Sequence, residues 1–504
     1  DLLKSPQYGE AQARHWMDVW RYSDWAGYGN EIRDSQPHIW RWRDWIVESL
    51  NANKGYDRMV REMLAADELY PEDPDALRAT GFLVRNWYKF SREVWLDRAV
   101  EHTSKAFLGM TINCSRCHDH MYDPIPQTEY YAFRAIFSTH DIRTDRVPGQ
   151  TDPLKDGVVR VYDANLTTPT YLFVRGNDSD PDKTKPIPPG VPIAFKGTPF
   201  DVKPVTLPKL AISPDNREFV LRETQAANET AITLAKTNVV AAKAKLGTLF
   251  YGPFGAATLL LGLRQEQVAL AELEVKLAEM KRDIFAALLA TEALDAKTNE
   301  WKIAATKVNH LNRELAVLEA QKLVGLAKVA VWLPTPKGQP EPAKKLADAN
   351  VALAKANEAL KAPPTTTFTP RVVKSFPATS SGRRTALANW LADTKNPLTA
   401  RVAMNHLWLR RFGAGIVPTV FDFGKNGAPP THPALLDWLA AEFMEPTVLA
   451  GGEHSVARPW SIKHVQRLIL TRNIFRLLRL EGCLAAKAPK GGRPDFSRSA
   501  ISRR

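Results

Sequence analysis

Apolar residues recur at seven-residue intervals through the middle of the chain, and this periodicity constrains the fold more than any other feature. The first run comprises Leu263, Leu270, Leu277 and Ile284, with Leu273, Met280 and Ala287 three residues further on. This spacing is typical of the a and d positions of a coiled coil. A second run comprises Val308, Leu311, Leu315 and Leu318. With the Gly/Pro break at residues 252–255, these runs predict an antiparallel hairpin that packs on itself; a partner-binding coil is the alternative.

Changes in composition on both sides of this hairpin divide the chain into six parts. They are a Trp-rich helical domain (1–140), a small β-containing, Pro-rich module (141–211), the coiled-coil hairpin (212–362), a linker rich in Pro and Thr (363–382), a C-terminal helical domain (383–480) and a basic unstructured tail (481–504). Within the module, residues 158–162 and 170–174 alternate like strands. The predicted fold class is mainly α, with a small β-containing module and an inserted coiled-coil hairpin.

Composition and charge exclude several classes of protein. Hydrophobic residues make up 44% of the 504 residues, which rules out a disordered or collagen-like chain. The net charge of +13 is concentrated, because the last 50 residues hold 12 Lys and Arg against two acids. No reader motif accompanies these cations, so we predict no nucleic-acid partner. The longest apolar stretch, residues 248–263, is broken by Pro253 and glycines, which argues against a transmembrane segment.

Two of the three cysteines in the chain mark the candidate site. Cys114 and Cys117 are three residues apart and directly precede His118. This is the spacing at which two thiols reach the two vinyl groups of one porphyrin while the adjacent imidazole binds the iron. The sequence therefore predicts a covalent haem c, attached through Cys114 and Cys117, with His118 as an axial ligand.

Other uses of this segment stay open. A thioredoxin-like CxxC would need a surrounding βαβ pattern, which this helical region lacks. A divalent metal such as zinc or calcium is the alternative cofactor, and the donors near the motif are His118, Asp119, His120 and Asp123. The simplest alternatives are cysteines that only pack and carboxylates that cap a helix.

A second axial ligand is required if the haem iron is fully ligated by protein. His120 is too close in sequence to His118 to reach the opposite face of a porphyrin. The candidates are therefore a methionine or one of the histidines His15, His38, His102, His140, His406 and His432.

Motifs at both ends of the chain carry a family resemblance. The first domain has residues 107–131, FLGMTINCSRCHDHMYDPIPQTEYY, and the Trp-rich runs 15–22 and 42–47. The C-terminal domain has residues 383–391, 396–408 and 429–439, the last being PPTHPALLDWL. These motifs resemble the paired domains of unknown function in large exported planctomycete and verrucomicrobial proteins, often found beside a planctomycete-type cytochrome c domain.

The resemblance covers about residues 1–210 and 380–480, and it implies an exported, cytochrome-associated setting in the periplasm or at the cell surface. It adds His15 and His432 to the candidate metal-binding residues, because both lie inside family-like motifs. Such proteins usually continue well beyond the segment at Trp460, and this sequence has neither an N-terminal cytochrome domain nor an export signal. We therefore expect both ends of the native protein to be missing here.

Three functional hypotheses follow. The first is an exported haem c protein for electron transfer or haem redox chemistry, linked to polysaccharide breakdown, with a redox partner or a polysaccharide as its partner. The second is a non-haem metal-dependent hydrolase built from Asp24, His118, Asp119, His120 and Asp123. The third is a glycan-binding or surface scaffold without catalysis.

The sequence also predicts how the two helical domains meet. We expect the C-terminal domain to dock on the first domain, with His432 facing residues 114–123 across a Trp-lined cleft. The alternative is that His432 only caps the helix that begins near Pro433, since proline is favoured at the first helical position.

Overall fold

The computed structural model describes residues 2–23, 37–195, 199–247, 254–332, 342–447 and 458–471. The chain forms two compact units. One joins Asp1–Pro214 to Ser375–Arg504, and the other is the intervening segment Asp215–Lys374. The two ends of the sequence therefore fold together around a shared core, and the mid-chain heptads belong to a separate unit. The mainly α fold predicted from the sequence is confirmed.

Helices form most of both units. Those before the insertion are α1 (Gln7–Trp20), α2 (Trp40–Asn51), α3 (Tyr56–Leu69), α4 (Pro74–Arg78), α5 (Gly81–Val84), α6 (Arg92–Thr103), α7 (Gln127–Ala135) and α8 (Lys209–Ile212). The second unit contains α9 (Glu218–Gly247), α10 (Phe254–Glu292), α11 (Asn299–Val331) and α12 (Pro342–Lys361). The first unit resumes with α13 (Arg383–Leu391), α14 (Thr399–Phe412), α15 (Pro433–Met444) and α16 (Ile462–Thr471). None of the described helices has both the length and the apolar character needed to cross a membrane.

Three short antiparallel strand pairs accompany the helices of the first unit. They are β1 (His140–Asp145) with β2 (Val158–Asp163), β3 (Leu172–Phe173) with β4 (Pro181–Asp182), and β5 (Val205–Thr206) with β6 (Thr379–Ser380). The predicted strand at 158–162 lies within β2. Of the predicted strand at 170–174, only Leu172 and Phe173 are extended, because the chain then turns through Arg175 at a positive φ.

Aromatic packing ties the C-terminal segment to the first domain. The Tyr56 backbone N–H donates to the Trp460 carbonyl, and the two rings stack 6.4 Å apart. The Trp460 ring also meets Phe443 of α15 at 5.2 Å. Tyr8 and Gln12 of α1 both hydrogen-bond to the side chain of Gln466 in α16. The C-terminal helices thus dock on α1 and α3 through a buried aromatic cluster.

A buried guanidinium makes a second connection between the same domains. Arg384, at the start of α13, is fully buried and binds both carboxylate oxygens of Asp67 at 2.5 and 2.7 Å. It also lies 3.0 Å from Asp163 at the end of β2 and 3.3 Å from Glu68. Removing one partner from such a buried ionic cluster typically costs about 3–5 kcal/mol, because uncompensated charge is left behind. Arg384 therefore makes the docking of α13 on α3 and β2 a condition of stable folding.

Ser380 lies between two carboxyl groups of this cluster. Its hydroxyl lies 2.8 Å from a Glu68 oxygen and 2.9 Å from an Asp163 oxygen. One hydroxyl has one proton to donate, so a proton on one of the carboxyls completes both hydrogen bonds. Burial, reinforced by the nearby Asp163 and Asp67 and opposed by Arg384, raises the pKa of Glu68 to about 7. Glu68 is therefore the acid that carries this proton below neutral pH.

The second unit is built from antiparallel neighbours among α9–α12. Across α10 and α11, Glu274 pairs with Lys322 and Glu266 with Lys328, so the two helices run in opposite directions. Their apolar seam brings together predicted heptad positions that include Met280, Ile284, Ala287, Val308, Leu311 and Leu315. Among its described residues the unit has four helices rather than the two of the predicted hairpin, because α9 and α12 also pack against this central pair.

Glu68→Gln is expected to make folding less sensitive to pH. Because the folded-state pKa of Glu68 lies above its ordinary value of 4.5, its stabilising contribution is complete below about pH 4.5 and is lost as pH rises through about 7. A glutamine keeps the acceptor for the Thr385 N–H and supplies a donor for Ser380 without titrating. The free energy of unfolding, measured by urea denaturation from pH 5 to 8, should therefore fall less in the variant. Glu10→Gln, at an exposed site on α1, is the control and should follow the wild type.

Deleting Asp215–Lys374 is expected to leave a folded remainder. The chain on either side of the insertion is already paired, since Phe376 N–H donates to the Ile212 carbonyl at 2.9 Å and β5 pairs with β6. A short Gly/Ser linker between Pro214 and Ser375 can therefore replace the helical unit. Circular dichroism should show a cooperative thermal transition, and loss of that transition would contradict the division into two units.

Candidate functional site

The candidate haem segment begins where α6 loses its regular geometry. After Thr103 the helix widens into one π-helical turn, Ser104–Leu108, and ends at Gly109 with φ of +58°. A side chain at Gly109 would be strained in this conformation and would also meet the Phe423 ring at 2.6 Å. A short 3₁₀ turn, Ile112–Arg116, then contains Cys114, and Cys117 directly follows it as the C-cap residue. Gly109 is thus required both for the turn and for close approach of the C-terminal domain.

Both predicted attachment cysteines are available for reaction. Cys114 and Cys117 are free thiols and are exposed. His118 is also exposed, and its Nδ1 donates to the Asp119 carbonyl at 2.6 Å. This bond leaves Nε2 as the nitrogen with a free lone pair, in the way that a backbone carbonyl commonly orients a metal-binding imidazole. The thiols and the imidazole therefore have the chemical form that covalent haem attachment needs.

Asp119 and His120 hold the turn that follows the cysteines. Asp119 accepts the backbone N–H of Gln127 at 2.7 Å and so caps the start of α7. His120 Nδ1 accepts the Asp123 N–H at 2.9 Å, so Nε2 carries the proton and donates to the Thr111 hydroxyl at 3.0 Å. Both ring nitrogens of His120 are thus occupied within the protein. Asp119 is therefore a carboxylate that caps a helix, as the simplest alternative from the sequence stated.

The β-containing module forms one wall beside the cysteines. A Cβ on Gly176 would lie 2.4 Å from Cys117 Sγ, so only glycine allows this close approach. The Gln127 side chain donates to the carbonyls of Arg116 and Phe173, which joins the cysteine turn to β3. Tyr131 donates to the same Arg116 carbonyl at 3.0 Å. The backbone around Cys117 is consequently fixed from two sides.

A loop of the C-terminal domain reaches the same segment. The Phe423 N–H donates to the Gly109 carbonyl at 2.7 Å, and the Lys425 N–H donates to Asp123 Oδ1 at the same distance. Asp123 is buried and its other oxygen has no hydrogen-bond partner, although it lies 3.5 Å from His120 Nδ1. The predicted docking of the C-terminal domain is therefore present in this unit, where Phe423 bonds to Gly109 and Lys425 to Asp123.

Family comparisons match the two ends of the sequence, which fold together in the first unit. Residues 1–142 match the model of PSCyt2, a protein of unknown function (DUF1549), and residues 383–481 match that of PSD1, a protein of unknown function (DUF1553). The two matched regions are called the PSCyt2 and PSD1 domains below. These matches confirm the resemblance to paired domains of unknown function. Neither curated proteins nor solved structures gave a match.

His432 lies at the entrance to a helix of the PSD1 domain. It occupies the N-cap position of α15, its carbonyl accepts the Leu436 N–H, and its Nδ1 lies 3.0 Å from the Thr431 hydroxyl. Pro433 takes the first helical position, as the capping alternative requires. The PSD1 hydrogen bond to the 114–123 segment comes from Lys425, which binds Asp123, whereas the His432 ring bonds to Thr431.

His15 of the PSCyt2 domain faces His406 of the PSD1 domain across a small cavity. Its volume, about 10 Å³, has room for about one water molecule. His15 Nδ1 and His406 Nε2 are both buried without hydrogen-bond partners. Burial and the neighbouring Arg410 lower the pKa of both rings, that of His406 to about 4. Two imidazoles whose pKa is lowered thus line one cavity at the domain interface, an arrangement that no sequence motif predicted.

The other candidate axial histidines of the PSCyt2 domain have different surroundings. His140 is fully buried, packs edge-on against Trp95 at 4.2 Å, and burial holds its pKa well below the ordinary value. His38 bonds to the Pro153 carbonyl, and His102 lines a larger cavity. Among the described residues, none of these rings hydrogen-bonds to or stacks on residues 114–123.

The metal-site alternative has less structural support. Within the described ranges, no group of three or more His, Cys, Asp or Glu is arranged to hold a metal ion. Asp24, which the hydrolase hypothesis included, lies outside the described residues. The carboxylates of Asp119 and Asp123 each accept a backbone N–H.

Gly424→Ala should weaken the contact between the PSD1 loop and Asp123. A Cβ at this position would lie 2.3 Å from one oxygen of buried Asp123 and 2.7 Å from the other, so the loop must move. We expect a loss of about 1–3 kcal/mol in the free energy of unfolding, as is usual for overpacking a buried site.

Gly190→Ala is the matched control for this substitution. Its added Cβ would make an ordinary 3.5 Å contact with Ala132, and its backbone suits alanine. Urea denaturation of both variants measures the difference. Equal stability of the two would show that the Asp123–Gly424 contact is not tightly packed in solution.

Proposed function

We propose that the PSCyt2 domain binds a covalent haem c through Cys114, Cys117 and His118, and that the protein acts in electron transfer or haem redox chemistry. The observation that supports this most strongly is the state of the three side chains. Both thiols are free and exposed, and His118 is oriented by the Asp119 carbonyl with Nε2 left open. Each thiol would add its S–H across one vinyl group, forming a C–S bond without any leaving group.

The donor chemistry fits a haem c. Thioether sulfurs and an imidazole nitrogen are the groups through which proteins hold this cofactor, which supplies one-electron chemistry at its iron. The protein's own contribution is rigidity. Asp119, His120 and Gln127 fix the turn by backbone hydrogen bonds, so little conformational entropy would be lost on attachment.

Export belongs to the same proposal. The haem motif and the resemblance to exported, cytochrome-associated proteins both suggest work in the periplasm or at the cell surface. We also propose that the protein is linked to polysaccharide breakdown. Its partner would be a redox protein or a polysaccharide.

Haem staining after expression with a c-type maturation system tests the proposal. The wild-type chain should give a haem-positive band on a denaturing gel, because thioether bonds survive unfolding. Cys117→Ala should lose most of this stain, since one of two attachment bonds is removed. Cys483→Ala removes the third cysteine, which lies outside the motif, and should stain like the wild type.

His120→Gln provides a second control, because His120 holds the turn but is not proposed to bind iron. Covalent haem should persist in this variant with a lower thermal midpoint. A colourless wild-type protein, produced beside a cytochrome that matures normally in the same cells, would overturn the haem proposal. Stoichiometric zinc or calcium in that colourless protein would favour the metal alternative instead.

A further inference from the structure

A cavity of about 410 Å³ lies on the side of the cysteine turn where the two domains meet. The PSCyt2 domain lines it with the last turn of α1, the end of α6 and Thr111, and the PSD1 domain lines it with residues 419–422. This volume is within the range of small-molecule sites, about 300–1,000 Å³. Thr111 separates the cavity from the haem segment, since its hydroxyl bonds to His120.

Two groups in the cavity wall lack partners. His102 is 7% exposed, and its buried Nδ1 has no hydrogen bond. Arg21 also lines the cavity and is exposed, and its guanidinium makes no hydrogen bond or ion pair with another described residue. Nε2 is the nitrogen of His102 that is not fully buried; it has no hydrogen bond to a described residue, and it is the one that a polar ligand group in the cavity would bind.

The charged side chains that line the cavity or lie close to it favour an anionic ligand. Burial, together with Arg85, Arg21 and Arg98, lowers the pKa of His102 to about 3, and only Glu101 opposes these cations. Both oxygens of Glu101 are already engaged, one by Lys105 at 2.7 Å and the other by Arg98 at 2.6 Å. Among the described residues that act on His102, three cations therefore face one acid.

The remaining lining adds an apolar surface and one opposing carboxylate. Val19, Val420 and Phe421 supply the apolar part. Asp422 also lines the cavity, but one of its oxygens accepts the Gly424 N–H. A ligand suited to this distribution has a carboxylate directed to Arg21 and His102 and an apolar body against Phe421.

Backbone irregularities occur on both sides of the cavity. Arg21 adopts a left-handed conformation with φ of +59°, which is uncommon for a residue other than glycine. The π-helical turn Ser104–Leu108 begins two residues after His102. Single π-helical turns are frequent at functional sites, and this turn places Lys105 in the wall.

We propose that this cavity binds a small organic carboxylate, with Arg21 and His102 as its polar contacts and Phe421 as part of its apolar contact. The proposal does not rest on haem attachment. Its expected specificity is for an anion over a neutral molecule of the same shape, and for an organic anion over inorganic phosphate.

Benzoate is a suitable probe, with benzyl alcohol as its neutral analogue. Isothermal titration of the full chain should detect benzoate binding and much weaker binding of benzyl alcohol or inorganic phosphate. Arg21→Gln should weaken benzoate affinity roughly tenfold, the usual effect of losing one charge-assisted hydrogen bond. Arg14→Gln, at an exposed position of the same helix, is the matched control and should bind like the wild type.

Three results would overturn this inference. One is the absence of benzoate binding at millimolar concentrations, and another is equal affinity for benzyl alcohol. The third is unchanged benzoate affinity in Arg21→Gln. Displacement of benzoate by equimolar phosphate would overturn the preference for an organic carboxylate. Because the haem proposal is tested by staining, failure of either proposal leaves the other result interpretable.

Discussion

The burial of Arg384 among Asp67, Glu68 and Asp163 is the interaction on which the first unit depends. A guanidinium without solvent is tolerated only where carboxylates surround it, and here they come from α3 and β2. The PSD1 domain supplies the cation, and the preceding part of the chain supplies the anions. Without the other part, each would bury its charged groups unpaired, which raises the free energy of the folded state. The two parts therefore fold as one unit although a 160-residue segment separates them in sequence.

Desolvation also sets the chemistry of the histidines at the domain interface. His102 and His406 are held neutral by burial and by nearby arginines. A neutral imidazole can donate one hydrogen bond and accept another, so each buried ring has binding capacity without the cost of a charge. His118 differs because it is exposed on the cysteine turn. The interface thus separates a candidate ligand cavity from a candidate haem attachment site by one layer of side chains, Thr111 and His120.

Rigidity in the cysteine turn comes from backbone contacts. The carbonyl of Arg116 accepts two side-chain donors, and the carboxylates of Asp119 and Asp123 accept N–H groups of residues later in the chain. Such bonds fix the path of the backbone while the thiols stay exposed. Two glycines, Gly109 and Gly176, allow Phe423 and Cys117 to approach without displacing the main chain. The residues next to the CxxCH motif therefore shape the site, and the motif residues supply its chemistry.

The sequence by itself determined the features that depend on local spacing. Heptads predicted the α10–α11 seam, alternation predicted β2, and the family-like motifs predicted the domain pair, because each pattern lies within a short stretch of chain. Local spacing also defined the Cys114–His118 motif. It could not show that α9 and α12 flank the seam, or that Arg384 meets Asp67, because nothing in a sequence marks which distant charges share a buried site. Only the tertiary structure decided those contacts, since they form when desolvation forces opposite charges from separate segments together.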